Sequence, residues 1–183
     1  MKNKFIFRPL SFSDIPLMYN WFNQPHVQKF YSLRQWTEKE VLEKLKLYIT
    51  GEKPVSGFIV LMGKDSIGYV QQYKISEQYE ASDYSWLDQN LSQTVVNNAA
   101  GMDLFIGDKK FMGKGIGSEI IKAFIESKMW SQYQYCVVDP DIRNISAIKC
   151  YEKLNFQDHA VIDTENELGQ SVKLKLMILK LKS

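Results

Sequence analysis

The sequence predicts a mixed α/β fold, a sheet of short strands flanked by amphipathic helices. Three observations predict it. Short apolar runs of strand length alternate with segments whose apolar residues recur at helical spacing. From Gly101 onward the order reads strand, glycine-rich turn, helix, strand, helix, strand, strand. Near the end, Val172, Leu174 and Leu176 alternate with Lys173 and Lys175, the period of a half-buried strand.

Taken in order, Phe5-Ile6-Phe7 reads as a short first strand. Ser13 is placed to cap a helix that carries Leu17, Met18, Trp21 and Phe22 on one face. Pro16 falls in its first turn, where a missing N–H costs little. Thr37 followed by Glu40 is a capping-box pattern, and Val41, Leu42, Leu45, Tyr48 and Ile49 repeat behind it at helical spacing. Gly57 to Met62 and Ile67 to Tyr73 are apolar runs separated by Gly63-Lys64-Asp65-Ser66, hence two strands and a tight turn. Residues 75 to 100 are polar, with scattered aromatics and no period. That predicts a long surface loop, a kind of segment that often carries function. Met102 to Ile106 is the next strand. Ile116, Ile120, Ile121, Phe124, Ile125 and Met129 make one helix face. Tyr135 to Val138 is a strand, and Ala147, Ile148, Tyr151 and Leu154 form a second helix face. Phe156 to Ile162 and Val172 to Leu181 are expected to pair as a hairpin. No repeat, low-complexity tract or linker interrupts the chain, so residues 1–183 are expected to form one domain.

Composition excludes several classes. With 45% apolar and 24% charged residues, the chain has the balance of a globular protein rather than a disordered one. A net charge of +2 gives no basic surplus for nucleic acid, and no nucleic-acid motif appears. Cys136 and Cys150 have no metal-ligand spacing and read as small buried hydrophobes, so no metal is expected. Arg8 and Pro9 interrupt the only apolar run near the N-terminus, and no run approaches the ~20 residues of a membrane span. The cytoplasm is the expected compartment, with no membrane partner.

Gly113-Lys114-Gly115-Ile116-Gly117-Ser118 follows a strand and opens a helix. The first N–H groups of a helix lack intrahelical partners and sit at the positive end of its dipole, so an anion is stabilised there. Glycines let the backbone approach phosphate oxygens, Lys114 adds a charge and Ser118 a hydroxyl. A Rossmann fingerprint needs Gly-x-Gly-x-x-Gly, which these glycines miss. A Walker loop needs four residues between its first glycines, and Gly107 to Gly113 has five between. An acyl-CoA loop, Arg/Gln-x-x-Gly-x-Gly/Ala, fits better, with Met112 to Gly117 in its place; a plain turn is the bland alternative.

Downstream, Asn144 to Phe156 reads Asn-Ile-Ser-Ala-Ile-Lys-Cys-Tyr-Glu-Lys-Leu-Asn-Phe. It resembles the Asn-x-x-Ala-x-x-x-Tyr-x-Lys-x-Gly-Phe segment of the GCN5-related N-acetyltransferases (GNAT). Asn155 stands where that family has glycine, and asparagine also accepts the left-handed conformation at a helix end. Met112 departs from the family's Arg or Gln. Gly101-Met102-Asp103-Leu104-Phe105-Ile106-Gly107, Val138-Asp139-Pro140, Trp21-Phe22-Asn23, Phe30-Tyr31 and Ile67-Gly68-Tyr69 are similar to the aminoglycoside 6′-N-acetyltransferases within it.

The resemblance implies a twisted, mostly antiparallel sheet of about six to seven strands, with a splayed strand pair forming the acetyl-CoA cleft. It implies acetyl-CoA as cosubstrate, held by Leu104, Phe105, Ile106, Gly113, Lys114, Gly115, Ile116, Gly117, Ser118, Asn144, Ala147 and Tyr151. Asp103 would take the proton from the acceptor amine. Tyr151 would protonate the leaving thiolate, with Asn144, seven residues earlier, on the same helix face beside the pantetheine. A backbone N–H near Leu104 or Phe105 would hold the oxyanion. Tyr31, Asp83, Trp86, Asp103 and Asp139 would line the site for the aminoglycoside.

Charge placement points to a cationic substrate. The 34 residues from Ile75 to Asp108 hold no Lys or Arg, but hold Glu77, Glu80, Asp83, Asp88, Asp103 and Asp108. Such a stretch attracts a compact polycation, while Lys109, Lys110 and Lys114 attract phosphates. The alternatives are another amine acceptor (a protein N-terminus, a polyamine, a siderophore precursor) or a CoA-binding module without catalysis. The assembly is expected to be a monomer or a homodimer.

Overall fold

In the computed structural model, residues 4–79 and 90–181 are described, the side chains of residues 78 and 79 apart. The strands are β1 (Ile6–Pro9), β2 (Val55–Met62), β3 (Asp65–Lys74), β4 (Ala99–Ile106), β5 (Tyr135–Val138), β6 (Gln157–Glu165) and β7 (Ser171–Lys180). They form one sheet in the order β1-β2-β3-β4-β5-β7-β6. The helices used below are α1 (Ile15–Phe22), α2 (Glu38–Ile49), α3 (Ile75–Tyr79), α4 (Gln93–Asn98), α5 (Ile116–Phe124) and α6 (Ile145–Lys153). The sheet is mostly antiparallel: β1 pairs antiparallel with β2, and β7 antiparallel with β5 and β6, whereas β4 and β5 pair parallel. Their pairing ends at Gly101↔Val137, whereas β4 runs on to Ile106.

The chain divides into two compact units, residues 1–72 with 103–116, and residues 73–102 with 117–183. In the first, α1 and α2 supply Ile15, Met18, Trp21, Val41 and Leu45 to a core completed by Ile59, Tyr69 and Phe105. Helix α2 begins as its capping box predicts: Thr37 N–H donates to Glu40 Oε2 at 2.7 Å, and Glu40 N–H to Thr37 Oγ1 at 3.3 Å. Helix α1 does not begin at the predicted cap. Its N-cap position is Asp14, whose carboxylate instead accepts from Arg8 Nη1 (2.9 Å), Arg8 Nη2 (2.6 Å) and Ser11 N–H (2.9 Å). Burial alone would raise the Asp14 pKa, but the Arg8 and Ser11 bonds outweigh it and the net shift is downward. Ser13 shares its hydroxyl with Ser11 instead.

In the second unit, Ile75, Leu91, Val96, Ala99, Val137, Ile162 and Leu176 form the core. The described parts of the stretch expected to be a loop from 75 to 100 carry regular structure: α3 opens it, α4 and the first residues of β4 close it, and Ser92 Oγ caps α4 by accepting from Val95 N–H at 3.4 Å. Helices of one or two turns are too short to show a period, and their apolar residues are sparse, so the pattern was invisible. Helix α5 continues into a π-helical turn, Ile125–Met129, which keeps Ile125 and Met129 buried. The hairpin β6–β7 forms as expected, with a register shift between Asp158 and Ala160. Asn155 ends the α6 segment at φ 64°, the left-handed conformation its position requires.

Candidate functional site

Strand alternation sets the first half of the site. Tyr69 and Gln71 stand on one face of β3, and Asp103 and Phe105 share a face of β4. Gln71 Nε2 donates to Asp103 Oδ2 at 2.8 Å. Gln71 Oε1 accepts from the hydroxyls of Tyr69 at 3.1 Å and Tyr31 at 3.2 Å. A carboxylate only accepts and two phenols can both donate, so the amide has one satisfying orientation. Burial pushes the Tyr69 hydroxyl well above the usual phenol range, with Tyr48 and Asp103 adding to it, so it remains a donor. Around this network Phe105 packs edge-on against Tyr31 (4.6 Å between centroids), Trp21 and Phe22 (6.0 Å each). Glycines admit the rings: a Cβ on Gly57 would meet Tyr69 Oη at 2.4 Å, and one on Gly107 would meet the Trp21 ring at 2.2 Å.

Among the residues expected to meet cofactor or substrate, Tyr31 thus gives its hydroxyl to Gln71. Phe105 is a core residue, 7% exposed, whose ring packs in the cluster rather than toward a ligand. The Ile106 carbonyl is paired with His26 Nε2 at 3.0 Å. Leu104 is half-buried on β4. Gln71 and His26 carry no sequence motif, and Tyr69 entered the sequence reading only through the Ile67-Gly68-Tyr69 resemblance. The run Ile67 to Tyr73 holds two amides, Gln71 and Gln72; the signal that could have singled out Gln71 is its spacing, two residues from Tyr69 and so on its face.

The second half rests on backbone. Asp108 Oδ1 accepts from Lys110 N–H at 3.0 Å and starts one 3₁₀ turn, Lys109–Phe111. Gly113 and Gly115 both sit at φ +72°, where L side chains are strained, with Lys114 exposed between them. Ile116 is buried and opens α5. Ser118, expected to offer its hydroxyl to phosphate, is only 4% exposed, and its backbone hydrogen-bonds the Cys150 thiol. Gly117 lies against α6, where its Cβ would stand 3.4 Å from Cys150 Sγ.

Asn144 does not share a helical face with Tyr151. It precedes α6 at φ −85°, ψ 63°, and its side-chain oxygen caps the helix by accepting from Ala147 N–H at 3.3 Å. Seven-residue spacing implies a shared face only when both residues are helical. Tyr151 lies on α6, 7% exposed, with its ring 5.2 Å from Phe156. Asp139 is half-buried after β5; next to it, Lys175 N–H donates to the Pro140 carbonyl at 2.8 Å. Asp83 and Trp86 lie outside the described residues.

Two charge readings change. Asp108 pairs with Lys110 at 3.0 Å and Glu77 with Lys74 at 3.6 Å, so lysines just outside the acidic stretch neutralise part of it. Lys110 also reaches Asp65 at 3.9 Å, so its charge is shared between two carboxylates. Burial raises the thiol pKa of both Cys136 and Cys150. Neither is an activated thiolate. Among the described residues no three metal-ligating side chains cluster, and no helix is long and apolar enough to cross a membrane.

A left-handed glycine loop opening a helix, together with a hydrogen-bonded carboxylate on the strand before it, suits transfer of an acyl group from a phosphate-bearing donor. The acetyltransferase (GNAT) domain model matches residues 12–164, and the chain belongs to that family. An aminoglycoside N(6′)-acetyltransferase type 1 of Klebsiella pneumoniae is 24% identical over 155 residues, 82% of this chain and 73% of that protein. The crystal structure of aminoglycoside acetyltransferase AAC(6′)-Ib with coenzyme A and kanamycin matches at TM-score 0.78 and 22% identity, covering 96% of this chain and 94% of the other. A Vibrio cholerae spermidine N-acetyltransferase with CoA and spermine matches at TM-score 0.73 and 18% identity, covering 97% and 96%.

Proposed function

We propose that this acetyltransferase moves the acetyl group of acetyl-CoA to the 6′-amine of aminoglycosides, inactivating them as antibiotics, and that residues 1–183 act as one catalytic domain. The observation that carries the reading is the Asp103 carboxylate, held by Gln71 among aromatic rings on β4. A carboxylate suits an ammonium group, and aromatic rings suit the apolar face of a sugar. Asp83, Trp86 and Asp139 complete the substrate set by resemblance.

The acceptor ammonium passes a proton to Asp103, and the neutral amine attacks the thioester carbonyl carbon. Backbone N–H groups of β4 at Leu104 or Phe105 hold the oxyanion; the end of β4–β5 pairing at Gly101 supports this, since it releases that edge of β4 from β5. The C–S bond then breaks, the thiolate takes the Tyr151 hydroxyl proton, and the second nitrogen proton leaves to solvent; Tyr151 regains a proton from solvent and Asp103 releases its own there, the one net proton of the reaction. Phosphates rest on the N–H groups from Lys114 to Gly117, the loop being exposed and left-handed at Gly113 and Gly115, while the Ser118 backbone bonds the Cys150 thiol. Pantetheine meets the amide N–H of Asn144, whose oxygen is committed to the cap, and the helix start at Ala147. The raised thiol pKa values of both cysteines support direct attack in a ternary complex over a cysteine acyl-enzyme.

The test is thiol release from acetyl-CoA with kanamycin, tobramycin, spermine and a histone peptide, followed by NMR of the product. Turnover of the aminoglycosides with the acetyl group on the 6′ nitrogen is expected. Acetylation of spermine or peptide alone would replace the acceptor, and no turnover with any amine would leave a CoA-binding module.

A further inference from the structure

We propose that Gln71 is a positioning residue for the reaction: locked by Tyr69 and Tyr31, its amide N–H holds the Asp103 carboxylate ionised and aimed at the acceptor nitrogen. This inference rests on the role given to Asp103 above. Three observations carry it. Gln71 is itself 9% exposed, and each of its contacts to these three residues is a hydrogen bond of 3.2 Å or less. The two phenols occupy Oε1, so an amide flip would set Nε2 against two donors and Oε1 against a carboxylate. And Tyr69, fully buried, holds the geometry from the core side. A donor fixed on Oδ2 favours the charged carboxylate and fixes its rotation, so the proton of the acceptor ammonium moves to a base already in register. The described titratable groups that face Gln71 are Asp103 on β4, Tyr69 on β3 and Tyr31 on the turn Gln28–Ser32; Tyr48 on α2 bears on Tyr69.

Gln71→Glu separates this role from packing, because it keeps the shape and still accepts from both phenols but cannot donate to Asp103 once ionised. With the full chain at pH 8, kcat for kanamycin is expected to fall at least about tenfold, with acetyl-CoA KM nearly unchanged. The carbon-13 titration of the Asp103 carboxyl, assigned through Asp103→Asn, is expected to move up by about one unit or more in Gln71→Glu and in Gln71→Leu. Tyr69→Phe, which removes only one anchor, is expected to lower kcat by a smaller factor. Wild-type kcat and an unmoved Asp103 titration in Gln71→Glu would overturn the assignment. If the wild type turns over no aminoglycoside, the functional reading falls while the titration still reports on the clamp.

Discussion

The chain solves two polar problems with opposite means. Around Asp103 the work is done by side chains: one carboxylate, one amide and two phenols, each with a fixed donor or acceptor role. From Gly113 to Ser118 it is done by the main chain: two left-handed glycines, a buried serine and the start of α5. The first region should therefore fail under substitutions that keep shape and change hydrogen-bond character. The second should tolerate changed side chains but fail under substitutions that change backbone preference.

Three substitutions would sharpen or break that contrast. Asp103→Asn keeps the size of the residue and removes the base, so kcat should fall by roughly 10²–10⁴-fold with acetyl-CoA KM little changed. Thiol-release kinetics read both; retention of more than a tenth of kcat would remove Asp103 from the chemistry. Gly115→Ala meets no neighbour within 4 Å, so its whole cost is conformational. That cost of ~1–2 kcal/mol should appear as a roughly tenfold rise in acetyl-CoA KM, and Gly115→Asn should recover much of it. A loss of melting temperature with unchanged KM would make the loop a plain turn. The smallest effect is expected for Asn144→Ala, which deletes the α6 cap and should cost about 1 kcal/mol in urea unfolding, with Asn144→Asp largely restoring it.

The regular elements were legible because their signals are local. The capping box at Thr37, the helix face from Ile116 and the alternation at Val172 each lie within a few residues, and each formed. Errors gathered where local signals compete. Ser11, Ser13 and Asp14 all suit a helix start, and the choice among them turned on Arg8, which a helix-start pattern does not include. Asn144 looked helical by spacing, yet its side chain was worth more as a cap. The acidic stretch looked uncompensated because Lys74 and Lys110 stand just beyond its ends. Gly57 and Gly107 had no reading of their own, since the rings that need their space arrive from distant segments.

The sequence by itself determined the order of the strands and of the longer helices, the glycine loop and the carboxylate on β4. Hydrogen-bonded periodicity and φ preference act over a few residues, so they are written along the chain. Only the tertiary structure decided which partner each polar group keeps. Tyr31, Gln71 and Asp103 are separated by 40 and 32 residues, and only folding makes them one network. A buried donor or acceptor must be satisfied wherever its partner comes from, and that requirement carries no sequence spacing.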